Sequence, residues 1–129
     1  MIYTLIVKGP AYGKENSISA LFFAKALVSR KIHVIKSVFF YCDGVLNANK
    51  FLSPAKNEFD TRKKWSMFSL QNQIRLNVCF SAALRRGIIG IKETCNQKIL
   101  EGNLDIYFKI SSLENLSRDI QKSDRIIQF

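Results

Sequence analysis

Apolar and polar positions alternate along the chain with two different periods. Ile2-Tyr3-Thr4-Leu5-Ile6-Val7 is a short β-branched apolar run closed by Gly9-Pro10, the pattern of a buried strand. After a loop to Asn16, the stretch from Ser17 to Arg30 carries Leu21, Ala24, Leu27 and Val28 at helical spacing and predicts the first helix. Ile32 to Tyr41 predicts the second strand, and the polar, Asn-rich stretch from Asp43 to Asn57 reads as a long loop. Asn57 is taken as the N-cap of a second helix, with Glu58 and Asp60 in its positive first turn and Trp65 and Phe68 along it. Ile74 to Cys79 predicts a third strand, and the small residues Ser81-Ala82-Ala83 then open a helix that stops by Gly87. Cys79 thereby falls at a strand-to-helix junction. A further helix is expected near Lys92 to Leu100, ending at Gly102, and Ile106-Tyr107-Phe108 is expected as the fourth strand. Ser111 with Glu114 has the spacing of a capping box ahead of a helix carrying Leu113, Leu116 and Ile120, and Arg125-Ile126-Ile127 closes as the fifth strand.

Five strands alternating with helices predict a three-layer α/β/α fold with a five-stranded, mostly parallel sheet. The 129 residues are read as one domain, residues 1–129, long enough to bury a core. Phe39, Phe40, Tyr41, Phe51, Trp65 and Phe68 amount to more aromatic surface than five short strands are expected to bury, which places part of it in subunit interfaces.

Composition narrows the class. No apolar run approaches the roughly 20 residues that span a bilayer, and the start of the chain lacks the features of a signal peptide, so the expectation is a soluble, cytoplasmic protein. Three cysteines, Cys42, Cys79 and Cys95, contain no Cys-x-x-Cys pair, and an odd number closes no disulfide framework, which fits a reducing compartment. The sole histidine, His33, completes no His/Cys set at zinc spacing, and neither a metal nor a cofactor is expected. A formal charge of +10 raises the question of a polyanion partner, but lysine and arginine are scattered. Their dense groups are only Arg30-Lys31, Arg62-Lys63-Lys64 and Arg85-Arg86, the pattern of a solvated face.

In open parallel sheets chemistry collects beyond the carboxyl ends of the strands. Three segments are predicted to meet there: Gly9-Pro10-Ala11-Tyr12-Gly13, Tyr41-Cys42-Asp43-Gly44, and Cys79. The glycine segment is neither G-x-G-x-x-G nor a P-loop, and Pro10 removes a backbone donor, so it reads as a turn shaping the crevice rather than a phosphate cradle. Cys79 has two readings: a thiol whose thiolate is favoured by a helix N-terminus, or a small buried hydrophobe. Arg85 and Arg86 either add positive potential there or face solvent. Cys42 reads as an incidental thiol beside the crevice and Cys95 as mid-helix packing. His33 starts a strand at the opposite end, so Cys79 has no base, and the thiol reactions left are exchanges at a disulfide or a persulfide.

The chain resembles the DsrE-like family over nearly its whole length. The blocks that carry the resemblance are Gly9-Pro10-Ala11-Tyr12-Gly13, then Ser37-Val38-Phe39-Phe40-Tyr41 with Gly44-Val45 and Asn47-Ala48-Asn49, then Ser53-Pro54-Ala55 with Glu58-Phe59-Asp60. Leu76-Asn77-Val78-Cys79 through Ala82-Ala83-Leu84-Arg85-Arg86-Gly87 and the ending Asp124-Arg125-Ile126-Ile127-Gln128-Phe129 complete them. The resemblance implies a sulfurtransferase with a cysteine persulfide on Cys79, serving 2-thiolation of the wobble uridine of transfer RNA. It implies sulfur received from a TusA-like donor and passed to a TusE-like acceptor. It further implies a heterohexamer with two copies each of this chain and of TusB-like and TusC-like sister subunits, with transfer RNA contacted only indirectly. Two positions depart from the pattern: Phe80 replaces a smaller residue after the cysteine, and Cys42 replaces a charged or polar one. The alternatives are a non-catalytic scaffold subunit of a DsrE-like hexamer, or an RNA- or nucleotide-binding α/β module.

Overall fold

The computed structural model describes residues 1–90 and 102–129. The described elements are β1 (Ile2–Val7), α1 (Asn16–Ser29), β2 (Val34–Phe40), a 3-10 helix (Cys42–Ala48), α2 (Thr61–Asn72), β3 (Leu76–Cys79), α3 (Phe80–Arg85), β4 (Phe108–Ser111), α4 (Leu113–Gln121) and β5 (Arg125–Gln128). The strands form one sheet in the order β4-β3-β2-β1-β5, and every neighbouring pair is parallel. The chain steps outward from β1 to β4, then returns to lay β5 on the free side of β1. Helices cover both faces, giving the expected three layers.

The two faces are built differently. On one, Phe40 packs edge-on against Trp65 of α2 at 5.3 Å and against Phe108 at 5.2 Å, over a core containing Leu5, Val38, Leu76 and Val78. On the other, α4 meets the sheet through polar groups as well as through Leu116, which packs against the core. Asp119 accepts hydrogen bonds from Ser37 Oγ (2.5 Å) and Arg75 (3.1 Å), and the hydroxyls of Thr4 and Ser123 lie 2.8 Å apart. Asp119 is the buried residue of α4.

Several sequence expectations are corrected. The aromatic excess is not at the surface: Phe39, Phe40 and Trp65 are fully buried and Phe68 nearly so, with Phe40 packed on Trp65 at one face of the sheet and Phe39, its neighbour in β2, turned to the other. Of that set only Phe51 is exposed and Tyr41 half-buried, while Phe22, Phe80 and Tyr107 are exposed instead. The stretch after β2 is not all loop, since a 3-10 helix occupies its first half. The second helix starts later than Asn57, capped by Asp60, whose carboxylate accepts from the Lys63 amide at 3.0 Å; Glu58 instead closes a turn onto the Ala55 amide. The fourth strand begins where it was expected to end. Asp105 takes the Tyr107 amide on its side chain and the Phe108 amide on its carbonyl, so the chain turns there and leaves Ile106 in solvent. The cap of the last helix is Ser112, which accepts from the Asn115 amide, while Ser111 is still strand. The helix expected at Lys92 to Leu100, with Cys95 in it, lies outside the described residues.

Candidate active site

At the carboxyl end of the sheet, backbone contacts first bring the ends of β1 and β2 together. The Tyr41 amide donates to the Val7 carbonyl at 2.9 Å, ending β2, and the Gly44 amide donates back to Tyr41 O at 2.9 Å, starting the 3-10 turn. A Cβ on Gly44 would stand 1.9 Å from the Val7 carbonyl oxygen, so the position admits no side chain and the turn lies flat on the strand end.

A buried side-chain network then joins three elements. Asn47 is fully buried; its amide donates to Gly9 O (3.0 Å) and Gly44 O (2.8 Å), and its Oδ1 accepts from Ser17 Oγ (2.6 Å). Ser17 Oγ accepts in turn from Trp65 Nε1 at 2.9 Å, and Thr61 Oγ1 donates to Ala11 O at 3.2 Å. The loop after β1, the 3-10 helix, α1 and α2 are thus tied at one point. Sequence reasoning missed Asn47 and Ser17. The signal available was Asn47 itself, a polar residue set among Val45, Leu46 and Ala48 in a stretch read as loop.

Cys79 is the last residue of β3, registered with Ser111 of β4, and immediately precedes α3. It is buried, 1% exposed, and its Sγ lies 3.7 Å from Ser81 Oγ, a hydroxyl able to donate to a sulfur anion. With six residues α3 is short, so the local donors of its first turn matter more here than a long helix dipole. Phe80 is half-exposed beside the enclosed sulfur.

The remaining candidates separate. Cys42 opens the 3-10 helix, partly exposed, in a left-handed conformation with φ 50°. The adjacent Asp43 binds Arg86 Nε at 2.8 Å, and Arg86 also donates to Ala82 O, so Arg86 is a tether between the 3-10 helix and the end of α3. Arg85 is exposed. Tyr12 of the glycine segment donates to Phe59 O at 2.9 Å, drawing that loop toward the start of α2. His33 lies before β2, at the far end of the sheet, edge-on to Tyr3 at 5.4 Å. Among the described residues no three His, Cys, Asp or Glu side chains gather as a metal site, and no helix is long and apolar enough to cross a membrane.

The fold and this junction define a class: a parallel α/β chain with a thiol enclosed where the third strand meets a short helix. The chain belongs to the DsrE/DsrF-like family, whose pattern it matches over residues 1–129. It is similar to sulfurtransferase TusD of Buchnera aphidicola subsp. Acyrthosiphon pisum (strain APS), 46% identical over 129 residues and the full length of both chains. It is similar also to sulfurtransferase TusD of Pectobacterium carotovorum subsp. carotovorum (strain PC1), 45% identical over 127 residues and 98% of each. Among solved structures, the YchN protein from E. coli superimposes with a TM-score of 0.75 over the whole of both chains at 19% identity, a likeness of fold.

Proposed function

We propose that this chain is a sulfur-relay subunit, a sulfurtransferase that carries sulfane sulfur as a persulfide on Cys79. The observation that supports the reading most is the position of Cys79 at the β3–α3 junction, in a chain similar along its full length to proteins named sulfurtransferase TusD. In the reaction the Cys79 thiolate attacks the outer sulfur of a donor persulfide. A new S–S bond forms on Cys79 Sγ, and the donor thiolate leaves with the electron pair of the broken bond. The Ser81 hydroxyl is placed to stabilise negative charge on the sulfur. The low exposure of Cys79 excludes water, which protects the persulfide between encounters. A second attack, by an acceptor thiol on the same outer sulfur, empties the site.

In this reading residues 1–129 form one domain, the donor is TusA-like, the acceptor TusE-like, and TusB-like and TusC-like subunits complete a heterohexamer in the cytoplasm. The delivered sulfur serves 2-thiolation of transfer RNA, with the RNA held elsewhere. The burial of Cys79 is also what a scaffold subunit would have, and one measurement separates the two. After incubation with a persulfide donor, intact mass should rise by about 32 Da per transferred sulfur, and the Cys79→Ser chain, close in volume and expected to fold, should not gain it on that peptide. A parent chain that gains no sulfur, alone or with its sister subunits, would establish the scaffold reading.

A further inference from the structure

An open cavity of about 280 Å³ lies where β3 and β4 begin, at the end of β3 opposite to Cys79. That volume is close to the lower limit of small-molecule sites, about 300–1,000 Å³. Arg75, Asn77, Tyr107 and Lys109 line it, together with Ser69 and Gln73 at the end of α2. The strand register explains why its polar groups converge. Asn77 pairs with Lys109, so both side chains stand on one face of the sheet. Arg75, two residues before Asn77, reaches that same face, where it donates to Asp119 of α4 at 3.1 Å.

These side chains have donors to spare. Arg75 gives one N–H to Asp119, which fixes the guanidinium, and its half-exposed head keeps the others. Lys109 is exposed and forms no ion pair with a described residue. Asn77 is only 4% exposed, yet its side-chain amide bonds to no described residue. A buried amide nearly always has a partner, so one that borders a cavity marks the place of an acceptor from outside the chain. The charge selects the class of that acceptor. Asp119, buried on this face, offsets Arg75, which leaves Lys109 as the net positive charge. We propose that the cavity binds a small organic carboxylate. Its oxygens take the N–H groups that Arg75 has left and the Asn77 amide, Lys109 balances its charge, and its apolar body lies on the ring of Tyr107. The proposal does not depend on which residue carries sulfur.

The test titrates the full, isotope-labelled chain with benzoate and follows backbone amide shifts by NMR. Benzoate should bind with a Kd below about 10 mM, as expected for so small a ligand, and should shift Asn77, Tyr107 and Lys109 most. Acetate, which lacks the apolar body, and benzamide, which lacks the charge, should each bind at least about fivefold more weakly. Lys109→Glu should weaken benzoate at least about fivefold. Lys25→Glu, the same charge change at an exposed position of α1, should leave it within about twofold of the parent. No saturable shift at these residues in the parent overturns the site, as does benzamide or acetate binding as tightly as benzoate. Equal weakening by Lys25→Glu and Lys109→Glu also overturns it, since the attraction would then be one of overall charge.

Discussion

Replacing Asn47 by alanine should destabilise the chain severely, and the structure allows the size to be worked out. The amide of Asn47 satisfies the carbonyls of Gly9 and Gly44, and its oxygen satisfies the Ser17 hydroxyl, all inside a residue with no exposure. Each buried polar group left without a partner costs about 1–3 kcal/mol, so three together cost about 3–9 kcal/mol. Total stability for a domain of this size is about 5–15 kcal/mol, so the variant stands near the edge of folding. Urea denaturation followed by emission of Trp65 is the assay, because Trp65 is the only tryptophan and donates to Ser17 in the same network. With a slope of about 1–3 kcal/mol per molar urea, the midpoint should fall by at least about 1 M. Ser17→Ala should cost less, about 1–3 kcal/mol, and the double variant should cost less than the two losses combined, since both single changes delete the same Ser17–Asn47 bond. A midpoint shift below about 0.5 M for Asn47→Ala at unchanged slope would refute the reasoning, because the three groups would then have found other partners.

Two further outcomes are expected. Gly44→Ala should cost about 3 kcal/mol or more, since its methyl group would meet the Val7 carbonyl at 1.9 Å and must push the 3-10 helix off β1; a melting temperature within a degree or two of the parent would count against that packing. Arg85→Glu should slow sulfur exchange with an acidic carrier protein at low salt, with the deficit shrinking as ionic strength screens charges beyond about 8–10 Å. Arg85 is exposed, whereas Arg86 is committed to Asp43, so of the two arginines it is Arg85 that can face a carrier; parental exchange by Arg85→Glu at low salt would refute this.

The sequence was most informative where burial is one-sided and local. The β-branched runs at Ile2–Val7 and Val34–Phe40, the helical spacing of Leu21, Ala24 and Leu27, and the junction at Cys79 all reflect chemistry within a few residues, and the parallel pairing of the strands followed from their alternation with helices. It was least informative where a side chain far along the chain decides the local geometry. Asp105 redirects the chain before β4 by binding two amides and an arginine of α2, Arg62, so apolar Ile106 and Tyr107 do not enter the sheet. Asn47 turns an Asn-rich stretch into an ordered 3-10 helix through Gly9, 38 residues away, and Ser17, 30 residues away. The candidate thiol could be named from sequence, but its enclosure depends on how β3, β4 and the 3-10 helix pack, which no local pattern encodes.

Both sheet faces bury apolar area, but they are fastened differently. Separating α2 from the sheet would expose Trp65, Phe68 and the face of Phe40, each large and nearly or fully buried, at about 1.5–3 kcal/mol per side chain. The opposite face carries Phe39, fully buried and alternating with Phe40 along β2, and Leu116 of α4 packs against the core. Polar bonds are added there, from Ser37 and Arg75 to Asp119 and between Thr4 and Ser123. Each such bond contributes about 0.5–1.5 kcal/mol, more where the partner is charged, so the apolar packing and the polar bonds jointly hold α4. Ser111, the strand partner of Cys79, leads directly into the Ser112 cap of α4, so the register that encloses the sulfur is tied to the helix on that face.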